Sequence, residues 1–374
     1  MIGPYIANDN GTISYQGNNI FPKIKDISKV QFEKLNFSKN PSEFISGNVW
    51  SSISRINNTI YQTVNEYFKT RKSMFTLLPL TTRMISSPGA VYGREKINYT
   101  TDTCPITINW FNEKENFFLS ESSQIYLELA LLQKGINEVF SIYNSFRKEK
   151  ADATHLSEFH HIEFEGKVPQ QINVTILYKL IQQIIHNVLT KNKDDLSLFL
   201  SDQDISNLHK LTKTPLKIIT FEEALSVLYD LTKNAKYKEI SLKHFNSWEE
   251  VKLSQHFGTI IGVSHFPLLE VPFYHAQDKQ HKKYANNLDI IWPGFREIAG
   301  SGQRITNITE LRNKAKIFNL PLKDYKPYLK SREFKNYSTT SGFGIGWERL
   351  VQGLLKLPYI WNSTLFPRGH KVTI

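Results

Sequence analysis

Between Asn48 and Lys72 the apolar positions Ile53, Ile56, Ile60, Val64 and Tyr67/Phe68 fall at steps of three and four, which predicts an amphipathic helix with one buried stripe. A strand should follow from Met74 to Leu78, ended by Pro79. The Ser86-Ser87-Pro88-Gly89 run reads as a loop, and beyond it come a strand near Phe117 to Leu119 and a helix from about Ser123 to Gln133, stopped by Gly135. Glu138 to Arg147 and Glu158 to Glu165 flank a polar turn and predict a long antiparallel hairpin whose residues face a cavity. From Val168 to Lys236 the pattern turns helical, on the stripes Ile172-Leu177-Ile181-Ile185-Leu189 and Phe221-Ala224-Leu225-Leu228. Strands return near Thr259 to Val263, Leu288 to Trp292 and Glu297 to Ile305. A helix carrying Leu311, Ala315 and Phe318 then precedes a glycine-rich strand and a last helix. Hairpin-linked strands mixed with helices, without regular βαβ alternation, predict an α+β fold with a mainly antiparallel sheet. Neither an internal repeat nor a low-complexity tract is present.

Composition bounds the organisation. At 374 residues and 40% hydrophobic, the chain is longer than a single core usually supports, so one large or two modest domains are expected. We take residues 1–47 as an N-terminal extension and 48–374 as one catalytic unit containing a helical insertion at about 168–236. The single cysteine, Cys104, excludes an intramolecular disulfide framework and a cysteine-based zinc site, and so favours a reducing compartment. No stretch approaches 18 consecutive apolar residues, and Met1 to Asn19 lacks an apolar core flanked by positive charge. The expectation is a cytoplasmic protein without a membrane partner. A formal charge of +11 admits a nucleic-acid partner, but the basic residues are scattered. The denser runs at 69–72 and 279–283 read as solvated surface.

Candidate chemistry lies in two places. One is Ser145-Phe146-Arg147-Lys148-Glu149 followed by His155-Leu156-Ser157-Glu158-Phe159; the other is Gly342-Phe343-Gly344-Ile345-Gly346-Trp347-Glu348-Arg349-Leu350. An arginine and a histidine around a polar loop, with a glycine-rich strand running into a helix that opens Glu-Arg, read as a nucleotide-activating site. These pieces resemble motifs 2 and 3 of the class II aminoacyl-tRNA synthetases, aspartyl/asparaginyl branch. The helix at 52–70 with its following strand resembles motif 1, which in that family builds a homodimer interface. Leu119 to Glu128, Asp289 to Arg304, and Phe366-Pro367-Arg368 complete an ordered set, so the resemblance extends over roughly residues 50–374.

The resemblance implies the class II catalytic fold and formation of an aminoacyl adenylate from ATP with Mg2+. Arg147 would hold the α-phosphate and the attacking carboxylate, because a planar guanidinium donates to two oxygens at once. His155 would reach the terminal phosphate, Arg349 would meet the γ-phosphate or stack near the adenine, and Phe159 would cover the adenine. Glu149, Gly344 and Gly346 complete the ATP site. Asp289 and Glu297, eight positions apart, would hold magnesium, a hard cation that takes one or two carboxylates. Plain alternatives are surface carboxylates for that pair and structural salt bridges for Arg147 with Glu149 or Arg349 with Glu348. His160 and His161 read as packing or hydrogen-bonding residues.

For the amino acid, the resemblance implies Glu121, Ser123, Gln124, Leu127 and Arg304, with Arg304 at the side-chain end and Gln124 nearer the amino group. Leu127 stands where aspartyl enzymes carry a lysine that reads the aspartate carboxylate, which favours an asparagine-like pocket. Ser87-Pro88-Gly89-Ala90 replaces the family's usual glutamate loop, and Glu121 is the candidate substitute for that charge. Ser338-Thr339-Thr340 likewise departs from the family's usual residues before motif 3. About 50 residues precede the motif 1 helix, fewer than an anticodon-reading OB-fold needs. The expected activity is therefore that of an asparagine synthetase-like ligase, similar to archaeal asparagine synthetases of this family. It would activate aspartate, asparagine or a close analogue and pass the acyl group to ammonia or another amine. Aminoacylation of tRNA or a carrier is the alternative, and a non-catalytic relic the third reading.

Overall fold

In the computed structural model, backbone is described for residues 5–7, 13–15 and 18–21, and backbone with side chains for 27–30, 45–86, 105–148, 153–238, 245 and 247–369. Three short strands, β1 (Tyr5–Ala7), β2 (Ile13–Tyr15) and β3 (Asn18–Phe21), form an antiparallel sheet within the N-terminal extension. The segment after it is tied to the rest of the chain, with Ser28 N donating to Lys356 O and Lys29 N to Phe199 O, both at 3.0 Å.

Helix α1 (Asn48–Thr70) buries the predicted stripe, with Ile53, Ile56, Ile60, Val64 and Phe68 all inaccessible to solvent. Strand β4 (Met74–Phe75) is shorter than expected. The expected strand β7 (Phe117–Leu119) joins two that the pattern did not show, β5 (Thr81–Thr82) and β6 (Ile106–Ile108), in a small antiparallel sheet of order β5-β7-β6. Helix α2 (Gln124–Ala130) leads to the predicted hairpin of β8 (Glu138–Phe146) and β9 (Glu158–Gly166), paired along its whole length.

Beyond it lie helices α3 (Gln170–Lys191), α4 (Lys193–Phe199) and α5 (Asp202–Leu211), strand β10 (Lys217–Thr220) and helix α6 (Phe221–Thr232). Strand β10 corrects the expectation of an all-helical insertion: it pairs parallel with β11 (Ile261–Ser264) and extends the main sheet. Four residues are too few to show a period of two. Thr220 also ends the strand and starts α6 through a reciprocal capping box with Glu223, which hides the boundary. After α7 (Ser247–Phe257) and β11 come β12 (Asn287–Ile291) and β13 (Glu297–Gln303), then α8 (Ile308–Ile317) and α9 (Lys326–Lys330). Strand β14 (Ser341–Gly346) and α10 (Trp347–Leu355) complete the motif 3-like segment.

The eight-stranded sheet runs β10-β11-β12-β13-β14-β9-β8-β4, antiparallel except for the parallel edge pairs β10/β11 and β4/β8. Its two faces differ because strand side chains alternate. Ile162 and Phe164 of β9 and Phe343 and Ile345 of β14 join the core built with α1, α3 and α10. Phe68 stacks on Phe140 and Phe164 there, and Phe164 on Phe343. Each fully buried phenylalanine contributes roughly 1.5–3 kcal/mol. The opposite face carries His161, Glu163 and Glu165 beside Gly342, Gly344 and Gly346 in direct register. This polar, glycine-lined face is the floor of the candidate site. The expected α+β architecture with a mainly antiparallel sheet flanked by helices is the one observed.

Candidate active site

Arg147 follows β8, and its backbone N–H donates to Ser157 O at 2.9 Å, closing the loop between the hairpin strands. That loop is fixed at several points: Ile360 N donates to Ala153 O and Ser157 N to Arg368 O, each at 2.9 Å, and Arg296 Nη2 donates to Thr154 O at 2.6 Å. The Arg147 guanidinium lies over the Phe159 ring, 5.3 Å from its centroid. His155 Nδ1 is 2.8 Å from Thr154 Oγ1. A cleft of about 110 Å³ brings Arg147, His155, Phe159, Gly344, Gly346 and Arg349 together. Arg349, in the first turn of α10, donates from Nη1 to the Glu297 carbonyl at 3.1 Å. Its alternative partner Glu348 is engaged elsewhere, accepting from the His160 backbone N–H at 3.0 Å and lying 2.6 Å from His160 Nδ1. That contact raises the His160 pKa. Glu149 and Ser87 to Ala90 lie outside the described residues.

His161 also lines the cleft, with Nδ1 2.7 Å from Ser145 Oγ. Burial, aided by Arg147 and Arg349, pushes its pKa down to about 3, so the ring is a neutral hydrogen-bonding group at physiological pH.

Two glycine pairs divide the floor. Gly300 of β13 pairs with Gly344 of β14, and Gly302 with Gly342. A Cβ on Gly300 would lie 3.2 Å from Glu297 Oε1 and 3.4 Å from Asp289 Oδ1, so the two predicted metal carboxylates converge over it. The Asp289 pKa is raised well above the ordinary range, first by burial and then by Glu297 and Glu250. Glu250, from α7, was not singled out from the sequence; it accepts from the Glu297 backbone N–H at 3.0 Å, and burial followed by Glu297 pushes it up to about 7. Among the described residues no set of three His, Cys, Asp or Glu converges on one metal position. A pair of crowded carboxylates fits a hard cation that fills its remaining positions with phosphate oxygens and water.

On the other side of the Gly300/Gly344 pair stands Glu163. Its Oε1 accepts from Ser122 Oγ at 2.7 Å and would be 3.3 Å from a Cβ on Gly344. Burial pushes its pKa up to about 7, against the pull of Tyr143, Ser122 and Arg304. The Gly302/Gly342 pair is bounded by Gln124 and Glu165. Gln124 Nε2 donates to Phe164 O at 2.8 Å and Glu165 Oε2 at 2.5 Å. Arg304 donates from Nε to Glu165 Oε1 at 3.0 Å and from Nη2 to Oε2 at 2.7 Å, with both residues at most 2% exposed. A pair buried this deeply loses roughly 3–5 kcal/mol when one partner is removed. Gly342 has to be glycine, since a Cβ would collide with Glu165 and Gln124 and come within 2.5 Å of the Phe164 carbonyl.

The remaining predicted amino-acid contacts are placed as follows. Ser123 sits at the start of α2, with Oγ 3.0 Å from Ser120 Oγ and N–H donating to the Tyr143 hydroxyl at 2.5 Å. Glu121 is wholly buried and close enough to Tyr126 to raise its hydroxyl pKa, after burial, and the carboxylate beside Gly344 is that of Glu163. Leu127 is corrected as a pocket position: it is wholly buried in an apolar cluster with Leu131 and Val139, because α2 packs that face against β8. Glu163 and Glu165 carried a signal that went unused, the strict alternation of His161-Ile162-Glu163-Phe164-Glu165 along one strand.

The model of the family described as tRNA synthetases class II (D, K and N) matches residues 49–370. The chain is 32% identical over 254 residues to the asparagine–tRNA ligase of Pyrococcus abyssi, a match covering 67% of this chain and 56% of that protein. It therefore spans little more than half the length of that relative. The asparagine–tRNA ligase of Thermoplasma acidophilum is 27% identical over 362 residues, covering 96% of this chain and 77% of the relative. Among solved structures, the asparaginyl-tRNA synthetase from Pyrococcus horikoshii complexed with asparaginyl-adenylate superposes with a TM-score of 0.78 at 25% identity, over 88% of this chain and 70% of that one. The aspartyl tRNA synthetase from Entamoeba histolytica, at 21% identity and a TM-score of 0.71 over 91% of this chain and 64% of that one, shares the fold. The family match over 49–370, laid on a sheet that assembles the motif 2-like and motif 3-like segments around one cleft, makes the chain a member of the class II tRNA synthetases of the D, K and N group, in its aspartyl/asparaginyl branch.

Proposed function

We propose that the protein is an ATP-dependent, AMP-forming ligase that activates an asparagine-type amino acid as its adenylate and transfers the acyl group to tRNA. The observation that carries this reading is the polarity of one continuous glycine floor. Arg147 and Arg349 stand at one end of it, and Glu163, Gln124 and the Arg304–Glu165 pair toward the other. ATP fits the arginine end, with Phe159 under the adenine and His155 toward the terminal phosphate. The amino acid lies along the glycine pairs, its carboxylate directed at Arg147 and its side chain at Arg304. The carboxylate attacks the α-phosphorus, a bond to that phosphorus forms, and pyrophosphate leaves. Catalysis here is alignment of two anions and neutralisation of their charge. Asp289 and Glu297 would hold magnesium, which when bound neutralises phosphate charge.

For the acceptor, the relatives named above are tRNA ligases, and this favours tRNA over the small amine preferred on the sequence alone. Incubating the protein with ATP, asparagine and bulk tRNA, or with ATP, aspartate and ammonia without tRNA, tests the choice. Acyl label on tRNA supports the reading; a free amide product formed without tRNA overturns it in favour of the amine-transferring ligase.

Glu163, beside Gly344, would receive the substrate ammonium, and substrate affinity would then depend on pH. With its pKa raised to about 7, the carboxylate is largely protonated below that pH and has no charge to offer. The KM for the amino acid is thus expected to fall as pH rises through about 7 and then to level off. Glu163→Gln should raise KM and flatten the profile; an unchanged profile would remove this role.

A second copy of the chain is the partner expected at the motif 1 region. Edge strand β4 and the residues after it expose Met74 and Phe75 at 53% and Leu77 at 86%, an apolar edge that favours cover. Sedimentation should give a dimer, and Leu77→Lys with Phe75→Lys a monomer. A wild-type monomer at micromolar concentration would refute the assignment.

A further inference from the structure

Beside the Gly302/Gly342 pair stands a side chain that neither the motifs nor the resemblance pointed to. A Cβ on Gly302 would lie 2.7–2.9 Å from ring atoms of His275, whereas its paired Gly342 is bounded by Glu165 and Gln124. His275 therefore forms the wall across the Gly302/Gly342 pair from the Arg304–Glu165 couple. Its backbone also bridges to that of Arg304. The residue is 7% exposed, and its Nδ1 is buried with no hydrogen-bond partner among the described residues. A buried polar atom left this way is uncommon and disfavours folding, so a ligand group is the natural partner.

The charges around it narrow the ligand. Arg304 is matched by Glu165, and Arg332 by Glu128 at 2.6 Å. Lys314 stands behind the histidine, its Nζ donating to the His275 carbonyl oxygen at 2.9 Å, and burial pulls its pKa to about 7. Burial, with Arg304 and Lys314 nearby, keeps the imidazole itself neutral. A carboxylate side chain entering this end would find each arginine already matched. A carboxamide brings no net charge, and supplies both a donor for a neutral imidazole and an acceptor for a guanidinium. Arg304 commits Nε and Nη2 to Glu165, which leaves Nη1 for a further acceptor.

We propose that His275 is a specificity-determining residue of the amino-acid pocket, its imidazole accepting a hydrogen bond from the carboxamide N–H of an asparagine-type side chain whose oxygen faces Arg304. This rests on the adenylate-forming reading above.

The test is ATP/pyrophosphate exchange with asparagine and with aspartate for the full chain and for His275→Leu and His275→Gln. His275→Leu should lower kcat/KM for asparagine by about 10- to 100-fold, the loss expected when a buried polar contact is removed. The KM for ATP should stay at the wild-type value, and His275→Gln, which retains an acceptor, should recover most of the loss. Asparagine kcat/KM within about twofold of wild type in His275→Leu, or a loss matched in the ATP KM, overturns the proposal. Should His275→Leu not fold, the imidazole ¹⁵N signals of the wild-type protein decide: they shift on titration with asparagine, and unchanged signals at saturation overturn the role. A wild-type protein that exchanges with no amino acid removes the ligase reading itself, whereas wild-type exchange with an indifferent His275→Leu removes only this residue's part.

Discussion

Arg147→Ala is expected to lower amino-acid-dependent ATP/pyrophosphate exchange by about 10³-fold or more while the unfolding transition stays near that of wild type. The guanidinium reaches the cleft from the end of β8, and on the proposed function it would hold the reacting phosphate and carboxylate against their mutual repulsion. A single preorganised donor to developing charge accounts for about 10²–10³ in rate, and an arginine serving two anions for more. In the fold itself its half-buried side chain rests on Phe159 at 5.3 Å from the ring centroid, a contact that contributes about 0.5–2 kcal/mol. The loss of exchange should therefore far exceed the loss of stability. Arg147→Lys should recover little of the rate, since an ammonium keeps the charge without the planar fork. Equal loss of exchange and of thermal stability in Arg147→Ala would assign the residue to the scaffold instead.

Asp289 and Glu297, the pair proposed to hold magnesium, are expected to give the second large effect, with a gain in stability of the metal-free protein. Asp289→Asn and Glu297→Gln should each lower exchange by about 10²–10³-fold and raise the magnesium concentration needed for half-maximal rate. Asp289 is crowded by Glu297 and Glu250, so each neutralising change removes repulsion in the metal-free protein. In the presence of EDTA the unfolding temperature of Asp289→Asn should equal or exceed that of wild type at neutral pH. Added Mg2+ with ATP should stabilise wild type more than the variant, since a ligand that binds only the folded state raises its stability. Arg349 donates to the Glu297 backbone carbonyl and so keeps that anchor in Glu297→Gln. A variant with wild-type exchange and wild-type magnesium dependence would show that these carboxylates serve another purpose.

How much of this was legible in the sequence follows from which interactions are local. The stripe of α1 and the hairpin of β8 and β9 rest on periods of three to four and of two, and both were readable from the pattern. Arg147, His155, Phe159 and Arg349 lie in contiguous motifs, and the cleft brings them together. Strand β10 was missed because four residues between capped helices carry no period, and its partner β11 lies 40 residues further on. Leu127 was misplaced because the resemblance carries over a position and not a direction, whereas the docking of α2 on Val139 decides which way that side chain faces. Glu163 and Glu165 were readable in principle, as polar residues alternating with Ile162 and Phe164, but their partners Ser122 and Arg304 lie 41 and 139 residues away. His275 gave no local signal at all: it meets Gly302 only because the chain folds back across the end of β13.

If one glycine floor aligns ATP with an asparagine-type amino acid, ATP/pyrophosphate exchange assayed in parallel with asparagine, aspartate and unrelated amino acids should require an amino acid, be strongest with asparagine and disappear in Arg147→Ala. Exchange with no amino acid, or equal exchange with asparagine and with amino acids lacking a short carboxamide, would contradict that alignment.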